Sequence, residues 1–167
     1  MVTSSSICAG EMIFSFTGVV QRRKGIYSLQ VSREEEIVTA MEAEGRAAGK
    51  SVEELNDHLR VNAAEHPWIF LQHSFTPTVC LEQEQSADSV ILSAVALTDI
   101  DVGGGITFDY TLHSWDMDAP FHDESTGRWV QGFGSLTEAE MDAALPRAAA
   151  HIKSMHGQWL FGQHSRC

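Results

Sequence analysis

Val90-Ile91-Leu92-Ser93-Ala94-Val95-Ala96-Leu97 is the stretch on which the fold turns. It is apolar throughout except at Ser93, is far too short to cross a bilayer, and reads as sheet. Upstream, Val79-Cys80-Leu81 and Trp68-Ile69-Phe70-Leu71 carry the same character. Downstream, Asp99-Ile100-Asp101-Val102-Gly103-Gly104-Gly105 reads as a turn before Ile106-Thr107-Phe108-Asp109-Tyr110. The three glycines do not make a phosphate loop, because no Lys-Ser/Thr follows and no helix starts there. Residues 7–31 also read as strands. Met12, Phe14 and Phe16 alternate with Ile13, Ser15 and Thr17, and a basic turn, Arg22-Arg23-Lys24-Gly25, leads into Ile26-Tyr27-Ser28-Leu29-Gln30-Val31.

Helix is expected in two places. From Ser32 to Ala64 the Glu34-Glu35-Glu36 run and the alanines after it favour helix by propensity. Ser51 with Glu54 forms a capping box there, ahead of a Val52, Leu55, Leu59 stripe. Near the C-terminus Thr137 and Glu140 form a second box, and Met141, Leu145, Ala148, Ile152 and Met155 share a face that Gly157 is expected to close. Pro146 falls inside that pattern and predicts a kink or break near Leu145.

The 167 residues suit one compact domain, and 43% hydrophobic with 20% charged residues is the composition of a soluble globular chain. The start, MVTSSSICAGEMIF, lacks a basic region followed by an apolar one, so a cytoplasmic location is expected. Cys8, Cys80 and Cys167 are scattered and show no CxxC spacing, which predicts neither a zinc cluster nor a disulfide framework. The net charge of -12 repels phosphate backbones and anionic bilayers, so nucleic acid and membrane are not expected partners. A small-molecule substrate or a basic peptide is compatible with it. Oligomeric state is left open.

Three ordered segments resemble the SET-domain family of lysine methyltransferases. Ile7-Cys8-Ala9-Gly10-Glu11-Met12-Ile13, followed by Gly18 and later by Tyr27-Ser28-Leu29-Gln30-Val31, resembles the family's I-x-A-G-E-x-I…G strand pair and its Tyr-bearing strand. Phe70-Leu71-Gln72-His73-Ser74-Phe75-Thr76-Pro77-Thr78 resembles F-(I/L)-N-H-S-C-x-P-N, and Gly105-Ile106-Thr107-Phe108-Asp109-Tyr110 resembles E-L-T-(F/Y)-D-Y. A stretch from Ser114 to Phe121, then Gln131-Gly132-Phe133, is similar to the post-SET linker of small members. The resemblance implies a mainly β fold with helical insertions: a SET-like knotted arrangement of small β-sheets plus a C-terminal helix, with the second motif threaded near the third. The expected division is a SET-like domain at 1–136, interrupted by a helical insertion at 32–66, and a C-terminal helical extension at 137–167.

The resemblance implies Tyr110 as catalytic tyrosine, with Tyr27 and His73 beside it. A phenol pair with an imidazole can donate hydrogen bonds to a developing oxyanion or move a proton. Gln72, Phe75, His113 and Trp115 are the expected substrate-binding residues. The family's S-adenosylmethionine (SAM) site is altered: no G-x-G precedes Ile7, Gln72 and Phe75 replace the loop's Asn and Cys, and Thr78 replaces its last Asn. Phe121 to Trp129 occupies the place of the zinc-binding cysteines. His113, His122, Asp116, Asp118 and Asp123 lack ligand spacing, so no metal is expected. Three readings follow. The first is a SAM-independent enzyme on the SET scaffold that cyclises or isomerises a small molecule and needs no cofactor. The second is a SAM-dependent protein-lysine methyltransferase, and the third is a non-catalytic binding module.

Overall fold

The computed structural model describes residues 1–22, 28–61, 67–85 and 90–164. Helix makes up 31% and strand 29%, so the fold is mixed rather than mainly β. Its strands are short and fall into four small sheets.

The largest sheet is antiparallel, with β1 (Met12–Thr17) and β6 (Val79–Gln85) flanking β7 (Val90–Ala96). In β7 the residues Val90, Leu92, Ala94 and Ala96 are buried and those between them are half-buried, so the central strand puts one full face into the core. On β1, Phe16 stacks on Trp68 with ring centroids 4.0 Å apart. Outside this sheet, Ile7 bridges Ile100 and Val2 bridges Gly105, which ties the first residues to the 100–105 turn.

A second antiparallel sheet places β4 (Glu36–Val38) between β2 (Val19–Gln21) and β3 (Leu29–Gln30). Here the structure corrects the expectation that helix begins near Ser32. Ile37 and Val38 are fully buried β-branched residues with strands on both sides, and that packing outweighs the helix propensity of the glutamates. Helix follows at α1 (Ala40–Ala47) and α2 (Val52–Val61). Ser51 and Glu54 bond reciprocally before α2, as the capping box requires.

Trp68-Ile69-Phe70-Leu71 is not a strand. Pro67, which has no N–H for a ladder, opens a 3-10 turn over Pro67–Phe70, and the Leu71 amide donates back to the Trp68 carbonyl at 3.0 Å. A two-residue parallel ladder then joins β5 (Gln72–His73) to β8 (Thr107–Phe108). After β8 the chain turns at once, because the Asp109 carboxylate accepts the Thr111 amide at 3.0 Å and caps a 3-10 turn over Tyr110–Leu112. The next segment is a hairpin, β9 (Phe121–Asp123) and β10 (Arg128–Val130). Asp123 accepts from the Ser125 and Thr126 hydroxyls and holds its turn, which Gly127 closes at φ +69°.

The Thr137–Glu140 box starts α3 (Glu138–Ala144), and Pro146 breaks the helix through a 3-10 turn over Leu145–Arg147. α4 (Ala150–His164) then runs past Gly157, which has no positive φ and so does not end the helix. Met141, Ala144, Ala148 and Ile152 form a second apolar cluster with Leu112 and Phe133. Among the described residues no helix is long and apolar enough to cross a membrane.

Candidate active site

The β5–β8 ladder sets His73 against Tyr110. The Ser74 amide donates to the Phe108 carbonyl at 3.1 Å, and the Tyr110 amide donates to His73 Nδ1 at 3.2 Å. A nitrogen that accepts carries no proton, so His73 is neutral with its hydrogen on Nε2. Burial lowers its pKa, opposed by the Asp109 carboxylate 3.8 Å from Nδ1. Nε2 has no partner among the described residues. The ring meets Phe75, Tyr110 and Phe121 edge-on at 4.5, 5.3 and 6.0 Å, and the Arg128 guanidinium covers Phe75 at 3.9 Å. His73 therefore acts as a latch between two segments.

In front of this cluster lies a cavity of about 360 Å³. Leu29, Trp68, Leu71, Phe108 and Met117 give it an apolar body, and Ser28, Gln30, Glu36, Ser114, Asp116 and Asp118 give it polar edges. Tyr110 lines it, but the hydroxyl donates to the Leu71 carbonyl at 2.6 Å. Burial raises the Tyr110 pKa, so the phenol stays protonated and that proton is engaged at rest. Glu36 is buried and accepts the Ser28 hydroxyl. Gln30 accepts the Trp115 amide at 2.7 Å and pins the 114–119 wall to β3.

The expected site residues separate into groups. Tyr110 reaches the cavity, whereas His73 and Phe75 pack behind it and do not line it. Gln72 is exposed on β5. The Trp115 ring turns away from the expected rim to pack on Phe133 at 5.8 Å, and only its neighbours Ser114 and Asp116 face the cavity. His113 is buried on the other side of the segment, its ring 6.4 Å from that of His151. Tyr27 lies outside the described residues. Sequence reading missed Ser28, Gln30 and Glu36, which the second sheet brings in. The signal for them was the β-branched Ile37-Val38 pair that follows the glutamate run.

Among the described residues no three His, Cys, Asp or Glu side chains gather as a metal site needs. No family model matches this chain, and no curated protein matches it.

Replacing Tyr110 by Phe keeps the ring and removes the bond to Leu71. A melting-temperature drop corresponding to about 1 kcal/mol is the expected result, the usual net worth of one such bond. An unchanged melting temperature would show that the hydroxyl is not held as described.

Proposed function

We propose that this chain is a SET-like enzyme acting on a small molecule without SAM, a cyclisation or isomerisation aided by hydrogen bonding and shape. The observation that carries the reading is the Tyr110 cavity. Its volume of about 360 Å³ falls in the range of small-molecule sites, and a mainly apolar interior with a few fixed polar groups is their usual form. Glu36, held by the Ser28 hydroxyl, is the group placed to accept a proton. Tyr110 can donate to a substrate only by leaving the Leu71 carbonyl, so in the resting state it serves as a wall and an acceptor. The β5–β8 ladder supports the SET-like scaffold, since it lays the segment resembling the cofactor loop beside the one resembling E-L-T-(F/Y)-D-Y. That same pairing is what favours SAM-dependent lysine methylation as the second reading.

Cyclisation and isomerisation conserve elemental composition, which makes them recognisable before the substrate is known. The purified chain, incubated with a small-molecule extract and no SAM, is expected to convert at least one compound into another of identical mass and different retention. An Ala119→Trp variant, which fills the cavity mouth, is expected to lose that conversion, and calorimetry with SAM is expected to show no saturable heat. Low-micromolar SAM binding with methyl transfer to a peptide lysine would establish the second reading instead. Absence of any mass-conserving conversion that Ala119→Trp abolishes would defeat the first.

A further inference from the structure

Gln30 on β3 and Glu36 on β4 are direct partners in the antiparallel ladder. Partners of that kind share a face of the sheet with their Cβ atoms about 4.5–5.5 Å apart, and both side chains line the Tyr110 cavity. Each is also held by a contact that decides which of its polar atoms is left over.

A backbone amide can only donate, so the Gln30 atom 2.7 Å from the Trp115 amide is the oxygen. The other arm of that planar group is Nε2, and its hydrogens have no partner among the described residues. Glu36 is only 8% exposed, and its Oε2 accepts the Ser28 hydroxyl. Its Oε1 has no hydrogen-bond partner among the described residues. Neither Nε2 nor Oε1 is closed off within the protein, so both face the cavity that their residues line. One fixed donor therefore stands beside one fixed acceptor. The oxygen of a carbonyl compound and the carbon next to its carbonyl are two bonds apart, a span that such a pair brackets. Lys, Arg and His are absent from the described lining, so nothing there favours an anionic substrate, and a charge that develops on oxygen falls to a neutral donor. The Tyr110 hydroxyl is engaged on the Leu71 carbonyl at rest, which leaves the Gln30 amide as the donor that acts without rearrangement.

We propose that the substrate of this cavity is a neutral carbonyl compound with a hydrogen on its α-carbon, and that Gln30 and Glu36 are the catalytic pair that enolises it. The inference rests on the reading of the cavity as a small-molecule enzyme site and gives that site a reaction class. Glu36 Oε1 takes the α-proton. The C–H electron pair becomes the carbon–carbon double bond of the enolate, the carbonyl pair moves onto oxygen, and Gln30 Nε2 donates to that oxygen. In an isomerisation Glu36 returns the proton at the γ-carbon of a β,γ-unsaturated substrate. In a cyclisation the α-carbon bonds instead to a second carbonyl carbon of the same molecule, and the Glu36 proton goes to the alkoxide so formed. Neither course gains or loses an atom, and neither needs an oxidant or a reductant.

Enolisation can be read without the natural substrate, as exchange of α-hydrogens for deuterium. 4-tert-Butylcyclohexanone, a neutral ketone with an apolar body, is the probe, and mass spectrometry of the ketone in D2O at neutral pD is the measurement. The parent chain is expected to speed exchange over buffer by about a hundredfold or more. Glu36→Gln is expected to return exchange to the buffer rate. Gln30→Glu still accepts the Trp115 amide but has no donor, and it is expected to slow exchange by about a hundredfold or more. Melting temperatures show which variants fold, and Glu36→Asp and Gln30→Asn, which draw the same groups back by one methylene, decide the matter where the first choices do not. Exchange by the parent at the buffer rate would overturn the proposal, as would undiminished exchange in the folded variants. A mass-conserving conversion of an extract compound that survives in those variants would overturn it too, while leaving the cyclase or isomerase reading intact. Exchange that the variants abolish, with no such conversion, would keep Gln30 and Glu36 as an enolising pair and defeat that reading instead.

Discussion

Gly132→Ala is expected to lower stability by several kcal/mol and to disturb the Tyr110 cavity at the same time. A Cβ at this position would overlap the Trp115 carbonyl and come within 2.6 Å of Asp116 Cα, so the conflict is with backbone and no side chain can swing aside to relieve it. The segment it strikes is held from the same place. The Phe133 amide donates to the Ser114 carbonyl at 2.7 Å, and the Gly134 amide donates to the Trp115 carbonyl at 2.9 Å. Ser114 and Asp116 line the cavity on either side of Trp115, so relieving the clash moves that wall. Overpacking in a close-packed site usually costs 1–3 kcal/mol, and a clash between main chains belongs at or above the top of that range. Urea unfolding of the variant measures the loss. A Gly132→Ala protein within about 0.5 kcal/mol of the parent would mean that the 114–116 segment does not pass as close to Gly132 as described.

The second large effect is on acid stability. Burial first, and then the neighbouring His151, lower the His113 pKa to about 3. In the unfolded chain the same ring titrates near 6.5. Below pH 6.5 the unfolded state therefore takes up a proton that the folded state refuses, and stability falls as pH falls through that window. One such group contributes a slope of up to about 1.4 kcal/mol per pH unit, or about 3 kcal/mol between pH 6.5 and 4. His151 and His73, also lowered by burial, act in the same direction. Asp109 opposes them. Burial raises its pKa, so the folded state holds a proton above the ordinary carboxylate range and gains stability there as pH falls. Urea unfolding at pH 7, 6, 5 and 4 is expected to show a steady decline, and His113→Leu is expected to flatten it. A stability flat between pH 6.5 and 4.5 would contradict the buried neutral placement of His113.

What the sequence made legible was what depends on near neighbours. Both capping boxes need only residues three apart, and both form. The break at Pro146 is a property of one ring and one missing N–H. β7 was legible as an apolar run interrupted only by Ser93, and it forms the central strand, paired on both sides with one register irregularity against β1. The failures arose where distant contacts decide. Glu36 ends a run of helix formers, yet Ile37 and Val38 after it are β-branched and pair with β2 and β3 on either side. Pro67 and the stacking of Trp68 on Phe16 turned an apolar run into a 3-10 turn. In the site, the closeness of His73 to Tyr110 followed from two motifs read together. Where Trp115 and His113 point did not, because Trp115 joins the second apolar cluster through Phe133 and His113 packs between Phe108 and His151 of α4.

The pairing of β1 with β7 also sets a timetable for synthesis. Met12 on β1 meets Val95 on β7, a partner that leaves the ribosome roughly 80 residues later. At 5–20 residues per second that is a wait of roughly 4–16 s. The hairpin of β6 and β7 closes from adjacent chain in microseconds once both strands are out, so within this sheet the delay belongs to β1. During it Phe14 and Phe16 stand on an unpaired strand with neither β7 nor Trp68 to cover them. A nascent chain in that state presents an apolar edge of the kind that chaperones hold and other chains join. Overproduction in a host therefore puts the solubility of this protein at the mercy of the β1–β7 pairing, whose first strand waits for a partner far along the chain.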